Sequence, residues 1–60
     1  MQRYVFELSS NDKLFIDDKV VAIDGFVSID DDNICIQGYY VDTGDDYEMV
    51  YSLDDIVRIS

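Results

Sequence analysis

Short runs of β-type residues, separated by acidic turns, are the feature that most limits what this chain can fold into. Residues 47–53 place Tyr47, Met49, Tyr51 and Leu53 on one side and polar or smaller residues on the other. This alternation is typical of a half-buried strand. No segment keeps a helical period over ten residues, so the 60 residues predict one all-β domain spanning 1–60.

Turn signals divide the chain into strands, with one point left open. Asp24-Gly25 is either the turn of a two-residue hairpin or a bulge in one long bent strand over residues 19–30. Ser52-Leu53-Asp54-Asp55 predicts an N-cap followed by one helical or 3₁₀ turn near residues 53–55. The predicted strands cover residues 3–8, 14–17, 19–23, 26–30, 34–41, 47–53 and 56–59, with the third and fourth continuous if Gly25 is a bulge.

This order of elements resembles an SH3-like barrel: a bent strand, a tight turn, two further strands, and one helical turn before the last strand. Residues 25–30, followed by Asn33-Ile34, are also similar to the first Sm-fold motif. That motif places an Asp and an Asn near an RNA base pocket, but no basic residue accompanies it here, so no RNA-binding role follows. The expected fold is a small SH3-like or Sm-like barrel or twisted sheet of five to six antiparallel strands.

The composition argues against an enzyme. The chain has no histidine and one cysteine, which excludes Ser-His and Cys-His nucleophiles and thiolate zinc sites. Asp42-Thr43-Gly44 resembles the active-site triplet of aspartic proteases, but that chemistry needs two such carboxylates and the triplet fits a turn. The aspartate runs at 30–33 and 42–48 do not match the spacing of a calcium loop. We therefore expect no metal and no cofactor, and Cys35 as a buried hydrophobe.

The charge is strongly one-sided. Fourteen acidic and four basic residues give a net charge of −10, and no basic residue lies between Lys19 and Arg58. Such a surface is repelled by nucleic acid and by anionic membranes. With no apolar run of membrane-spanning length, the cytoplasm is the expected compartment. A basic protein partner would offset the self-repulsion of the chain, and burial against a partner or in a homodimer would add to the small core of a 60-residue domain.

The leading hypothesis is a small binding protein that imitates the phosphate backbone of nucleic acid and inhibits a DNA- or RNA-binding protein by competition. In size and charge the chain is similar to phage-encoded DNA mimics, which include anti-CRISPR, anti-restriction and uracil-glycosylase inhibitor proteins. The alternative is an SH3-like adaptor or subunit that binds a peptide, or self-assembles, through a strand edge. The expected contact residues are seven acids and two tyrosine anchors: Asp30, Asp31, Asp32, Asp42, Asp45, Asp46, Glu48, Tyr39 and Tyr47.

Overall fold

Six strands and one short 3₁₀ helix make up the computed structural model, which describes all residues from 1 to 60. The strands β2, β3, β4 and β5 form an antiparallel sheet in that order, and β1 pairs with β6. None of the helical structure is long and apolar enough to cross a membrane. The elements are β1 (Gln2–Tyr4), the 3₁₀ helix (Val5–Glu7), β2 (Lys13–Ile16), β3 (Lys19–Ser28), β4 (Asn33–Tyr40), β5 (Asp46–Ser52) and β6 (Ile56–Arg58).

The open question at Asp24-Gly25 is decided in favour of one bent strand. β3 runs without interruption through both residues, and its register against β4 shifts between Ile23 and Gly25. Such an irregularity bends a strand and increases its twist. The four-stranded sheet therefore curls into a half-barrel, and an isolated bridge from Leu14 to Ile59 links its first strand to the C-terminus.

The core lies on the concave side of this curled sheet. Leu14, Val21 and Ile36 come from three neighbouring strands and are fully buried. Alternation along each strand places these side chains on one face. They belong to a cluster of seven buried residues: Val5, Leu14, Val21, Ile23, Ile36, Tyr47 and Ile59.

The prediction of a strand over residues 3–8 is wrong after Tyr4. Val5 begins the 3₁₀ helix and is buried, whereas Tyr4 and Phe6 stack on each other at the surface. The backbone N–H of Val5 donates to Asp55 and that of Phe6 donates to Leu53. These long-range bonds draw the segment towards the C-terminal turn, which the local alternation of residue types does not encode.

The sequence predicts one helical or 3₁₀ turn near residues 53–55, and the structure has a hydrogen-bonded turn at residues 53–54 that does not continue as a helix. The Asp55 N–H donates to the Ser52 carbonyl at 3.0 Å. The Ser52 N–H in turn donates to the Asp55 carboxylate at 2.9 Å. These two hydrogen bonds between Ser52 and Asp55 close the turn, and β6 begins at the next residue, Ile56.

Candidate acidic binding surface

The β3–β4 turn is organised by the carboxylate of Asp30. Its Oδ1 atom accepts hydrogen bonds from the N–H groups of Asp32 and Asn33, each at 2.9 Å, and from the Asn33 side chain at 3.0 Å. The bond from Asp32 is the main reason that the pKa of Asp30 is lowered, followed by the Asn33 side chain. Asp30 therefore holds the turn, while Asp31 and Asp32 are exposed beside it.

Three more predicted contact residues are exposed at the other end of β4: Asp42 and Asp45 in the β4–β5 turn, and Asp46 at the start of β5. Gly44 has a positive φ of 79°, and its N–H donates to the Tyr40 carbonyl at 2.7 Å. The Tyr40 N–H donates to the Asp45 carbonyl at 2.8 Å, which closes the loop. Only glycine adopts this φ without steric cost, so the turn fixes where its carboxylates lie.

The two acidic turns lie at opposite ends of β4 and do not form one patch. Eight strand residues separate them, a distance of about 25 Å at the usual rise along a strand. The sequence analysis did not identify Asp54 as a neighbour of the first turn. A hydrogen bond of 2.9 Å from the Leu53 N–H to the Asp32 carbonyl joins the turn at residues 53–55 to it.

On the convex face, Tyr39, Asp46 and Glu48 lie between the β4–β5 turn and the middle of the sheet. Tyr39 on β4 is paired in register with Asp46 on β5, and the residue is 40% exposed. Glu48 is two residues further along β5 on the same face, about 6.6 Å from Asp46. Its carboxylate accepts a hydrogen bond of 3.1 Å from the side chain of Gln37.

Tyr47 does not serve as the surface anchor that the sequence analysis proposed. Its side chain is only 7% exposed and belongs to the core cluster. Its hydroxyl is 2.5 Å from that of Tyr51, and its ring meets Tyr40 edge to face. Burial, and then the hydrogen bond with Tyr51, raises the pKa of Tyr47 far above its ordinary value. The alternation along β5 assigns Tyr47 to one face of the strand but does not say which face is buried. In the structure that face is the concave one, which carries the core.

Three of the four basic side chains make contacts within the molecule, and one of them, Lys19, lies beside the β4–β5 turn. Arg3 makes the one ion pair, 3.8 Å from Asp12. Lys19 lies 5.5 Å from the ring centre of Tyr40, and Arg58 lies 5.3 Å from that of Phe15. The other thirteen carboxylates have no basic partner in the chain.

An open groove, lined by six hydrophobic and two charged residues, lies between the two edges of the four-stranded sheet. Its volume is about 310 Å³. It is lined by residues 14–16 of β2 and the following Asp17, by Tyr51 of β5, and by residues 56–58 of β6. We call it the β2–β5 groove.

Cys35 is buried and unpaired, and no three acidic or thiol side chains converge as metal ligands would.

No protein-family model matches the chain, and no curated protein matches it in sequence.

Proposed function

We propose that the chain is a small acidic binding protein that imitates the phosphate backbone and inhibits a nucleic-acid-binding protein by occupying its basic surface. The observation that carries the proposal is the state of its charges. Only Asp12, among fourteen acidic residues, forms an ion pair. Unpaired charges of one sign repel each other, and a basic partner would remove that cost. They also steer a basic protein into a fast, salt-sensitive encounter.

The spacing of the carboxylates supports mimicry of a nucleic-acid strand. Asp46 and Glu48 are about 6.6 Å apart on one rigid strand, comparable to successive phosphates of a nucleic-acid strand. The β4–β5 turn adjoins this row at Asp45, whereas the β3–β4 turn presents a separate acidic group at the other end of β4. The proposed contacts are Asp31, Asp32, Asp42, Asp45, Asp46 and Glu48, with Tyr39 as the aromatic anchor and Asp30 holding its turn in place.

The test of this function is capture of a partner that nucleic acid displaces. The immobilised chain is incubated with bacterial lysate, with and without competing duplex DNA, and the retained proteins are identified by mass spectrometry. We expect a nuclease, polymerase or other DNA-binding protein that DNA releases. The purified partner should then lose its DNA binding when the chain is added. Partners that remain bound in excess DNA, at unchanged affinity, would contradict the proposal.

Charge-neutral variants locate the contact on that purified partner. Asp45→Asn with Asp46→Asn should weaken binding by about tenfold, which is about 1.4 kcal/mol. Asp17→Asn with Asp18→Asn removes the same charge from another turn, and asparagine tolerates the positive φ of 50° and 66° there. This control variant, with both Asp17 and Asp18 replaced, should weaken binding clearly less than the variant at Asp45 and Asp46. Equal losses in both variants would mean that overall charge, and not this surface, determines the affinity.

The second candidate is an SH3-like adaptor or subunit that binds a peptide or assembles through a strand edge. It is favoured by the position of β5, which has a neighbour on one side only. An adaptor of this kind relies on backbone bonds and apolar packing, so its affinity should change little with ionic strength. A mimic should lose affinity steeply with added salt, and a titration at several salt concentrations separates the two.

A further inference from the structure

One edge of the four-stranded sheet is covered by another part of the chain, and the other edge is not. The β2 edge is covered by the C-terminus, through the bridge from Leu14 to Ile59 and a bond of 2.8 Å from the Ser60 N–H to the Lys13 carbonyl. The β5 edge, Asp46–Ser52, is uncovered. Its acidic side chains, Asp46 and Glu48, are its only protection as an edge strand, since it contains no proline, no lysine and no bulge.

The hydrogen-bond pattern shows which backbone groups of β5 point outwards. In an antiparallel ladder, alternate residues turn their N–H and C=O groups towards the neighbouring strand. The Tyr40 N–H donates to Asp45, so Tyr47, Met49 and Tyr51 face β4 while Asp46, Glu48 and Val50 face away. Ser52 also faces away, but its N–H and C=O are both bonded to Asp55. The available edge therefore runs from Asp46 to Val50.

The side chains along this edge differ between the two faces of the sheet. On the convex face stand two acids, Asp46 and Glu48, followed by Val50, which is 55% exposed. On the concave face stand Met49, which is 50% exposed, and Tyr51, which borders the β2–β5 groove. A strand added here would lie over both a negative row and an apolar groove.

We propose that the β5 edge accepts an extended basic segment of a partner protein as an additional antiparallel strand. Lysine or arginine at alternate positions would lie beside Asp46 and Glu48. The apolar residues between them would turn into the β2–β5 groove, against Tyr51 and Ile56. The inference rests on the proposed function in one respect only, namely that the partner is a basic protein.

A second copy of the chain does not fit this edge, because it has no segment in which basic residues alternate with apolar ones. Its basic residues stand at positions 3, 13, 19 and 58, and no two of them alternate in a strand. Two copies would also bring together net charges of −10 each. The acids of β5 therefore act against self-pairing while they favour a basic strand.

A short synthetic peptide in which lysine and valine alternate tests the proposal. The comparison peptide has the same composition with all lysines first and all valines last. We expect the alternating peptide to bind at least about tenfold more tightly, because only it places charge on one face and apolar groups on the other. On binding, amide hydrogen exchange should slow at Glu48 and Val50, whose N–H groups gain partners.

Two charge-reversal variants of the chain complete the experiment. Glu48→Lys should abolish the preference for the alternating peptide. Asp24→Lys makes the same charge change at an exposed position on β3, which β4 separates from β5, and should preserve the preference. Equal binding of both peptides, or no slowed exchange at Glu48 and Val50, would overturn strand addition. That result would leave electrostatic mimicry standing, because mimicry is tested separately by displacement of the captured partner with DNA.

Discussion

At the scale of single residues, Gly38 determines how closely β3 and β4 approach at the bend. It is buried on β4, opposite Ile23 and next to the irregularity between Ile23 and Gly25. A Cβ atom at Gly38 would overlap the carbonyl group of Ala22. That neighbour is backbone within a paired strand, so it cannot move aside without breaking the ladder.

Replacing Gly38 by alanine should therefore destabilise the fold strongly. We expect Gly38→Ala to lower the free energy of unfolding by about 1–3 kcal/mol, the usual cost of overpacking, or to prevent folding. Urea unfolding followed by circular dichroism measures the change. The control is Gly25→Ala, because a Cβ at Gly25 meets nothing within 4 Å. Similar stabilities for the two variants would show that the strands separate more easily than this packing implies.

At the scale of elements, the β3–β4 turn depends on one ionised side chain. Both carboxylate oxygens of Asp30 accept hydrogen bonds within the turn, whereas the adjacent Asp31 makes none. These bonds favour the charged form, which lowers the pKa of Asp30 in the folded chain. The stability that they contribute is present above the pKa of the unfolded chain, about 3.9, and is lost as the pH falls through the lower, folded value.

Asp30→Ala should accordingly lower the melting temperature at neutral pH more than Asp31→Ala does. The two variants remove the same charge, so their difference isolates the hydrogen bonds of the turn. That difference should shrink as the pH falls below about 4, where Asp30 of the unfolded chain takes up a proton, and should vanish below the lower pKa of the folded chain. Thermal melts of the three proteins across this pH range make the comparison. A difference between the variants that persists in strong acid would contradict the role given to the ionised carboxylate.

At the scale of the whole molecule, repulsion between the acidic side chains is the main destabilising interaction that nothing within the chain compensates. The net charge is −10, one ion pair is formed, and the acids are distributed along both ends and the convex face. Only nine of the 60 residues are buried, so the core that opposes this repulsion is small. The same imbalance that favours a basic partner therefore limits the stability of the free chain.

The melting temperature should rise between low and moderate salt, because at 0.1 M salt screens the repulsion between exposed charges that are more than about 10 Å apart. Each 1 kcal/mol of relieved repulsion corresponds to about 4–8 °C in a domain of this size. Asp31→Asn with Asp45→Asn reduces the charge at both ends and should show a smaller rise. A melting temperature that does not change over this range would mean that the carboxylates are already too far apart to destabilise the fold.

Local patterns in the sequence were sufficient for the fold class and most strand positions. Period-two alternation and acidic turn clusters predicted β4, β5 and β6 to within one or two residues, because these signals act between close neighbours. They also located the turns that carry Asp30 to Asp32 and Asp42 to Asp46. The curled antiparallel sheet itself was expected, since strands this short need several neighbours to bury one face.

Contacts between residues distant in the chain decided the rest. Val5 and Phe6 leave the strand geometry because their N–H groups bond to residues 55 and 53. Tyr47 is a core residue and not an anchor because the curl of the sheet turns its face of β5 inwards, and a tyrosine suits either side of a strand by composition. The sequence alone determined an acidic all-β chain with its charges in turns. The tertiary structure decided which of those charges share a face, and that the β5 edge beside them stays open, because pairing and curvature are set by the whole sheet.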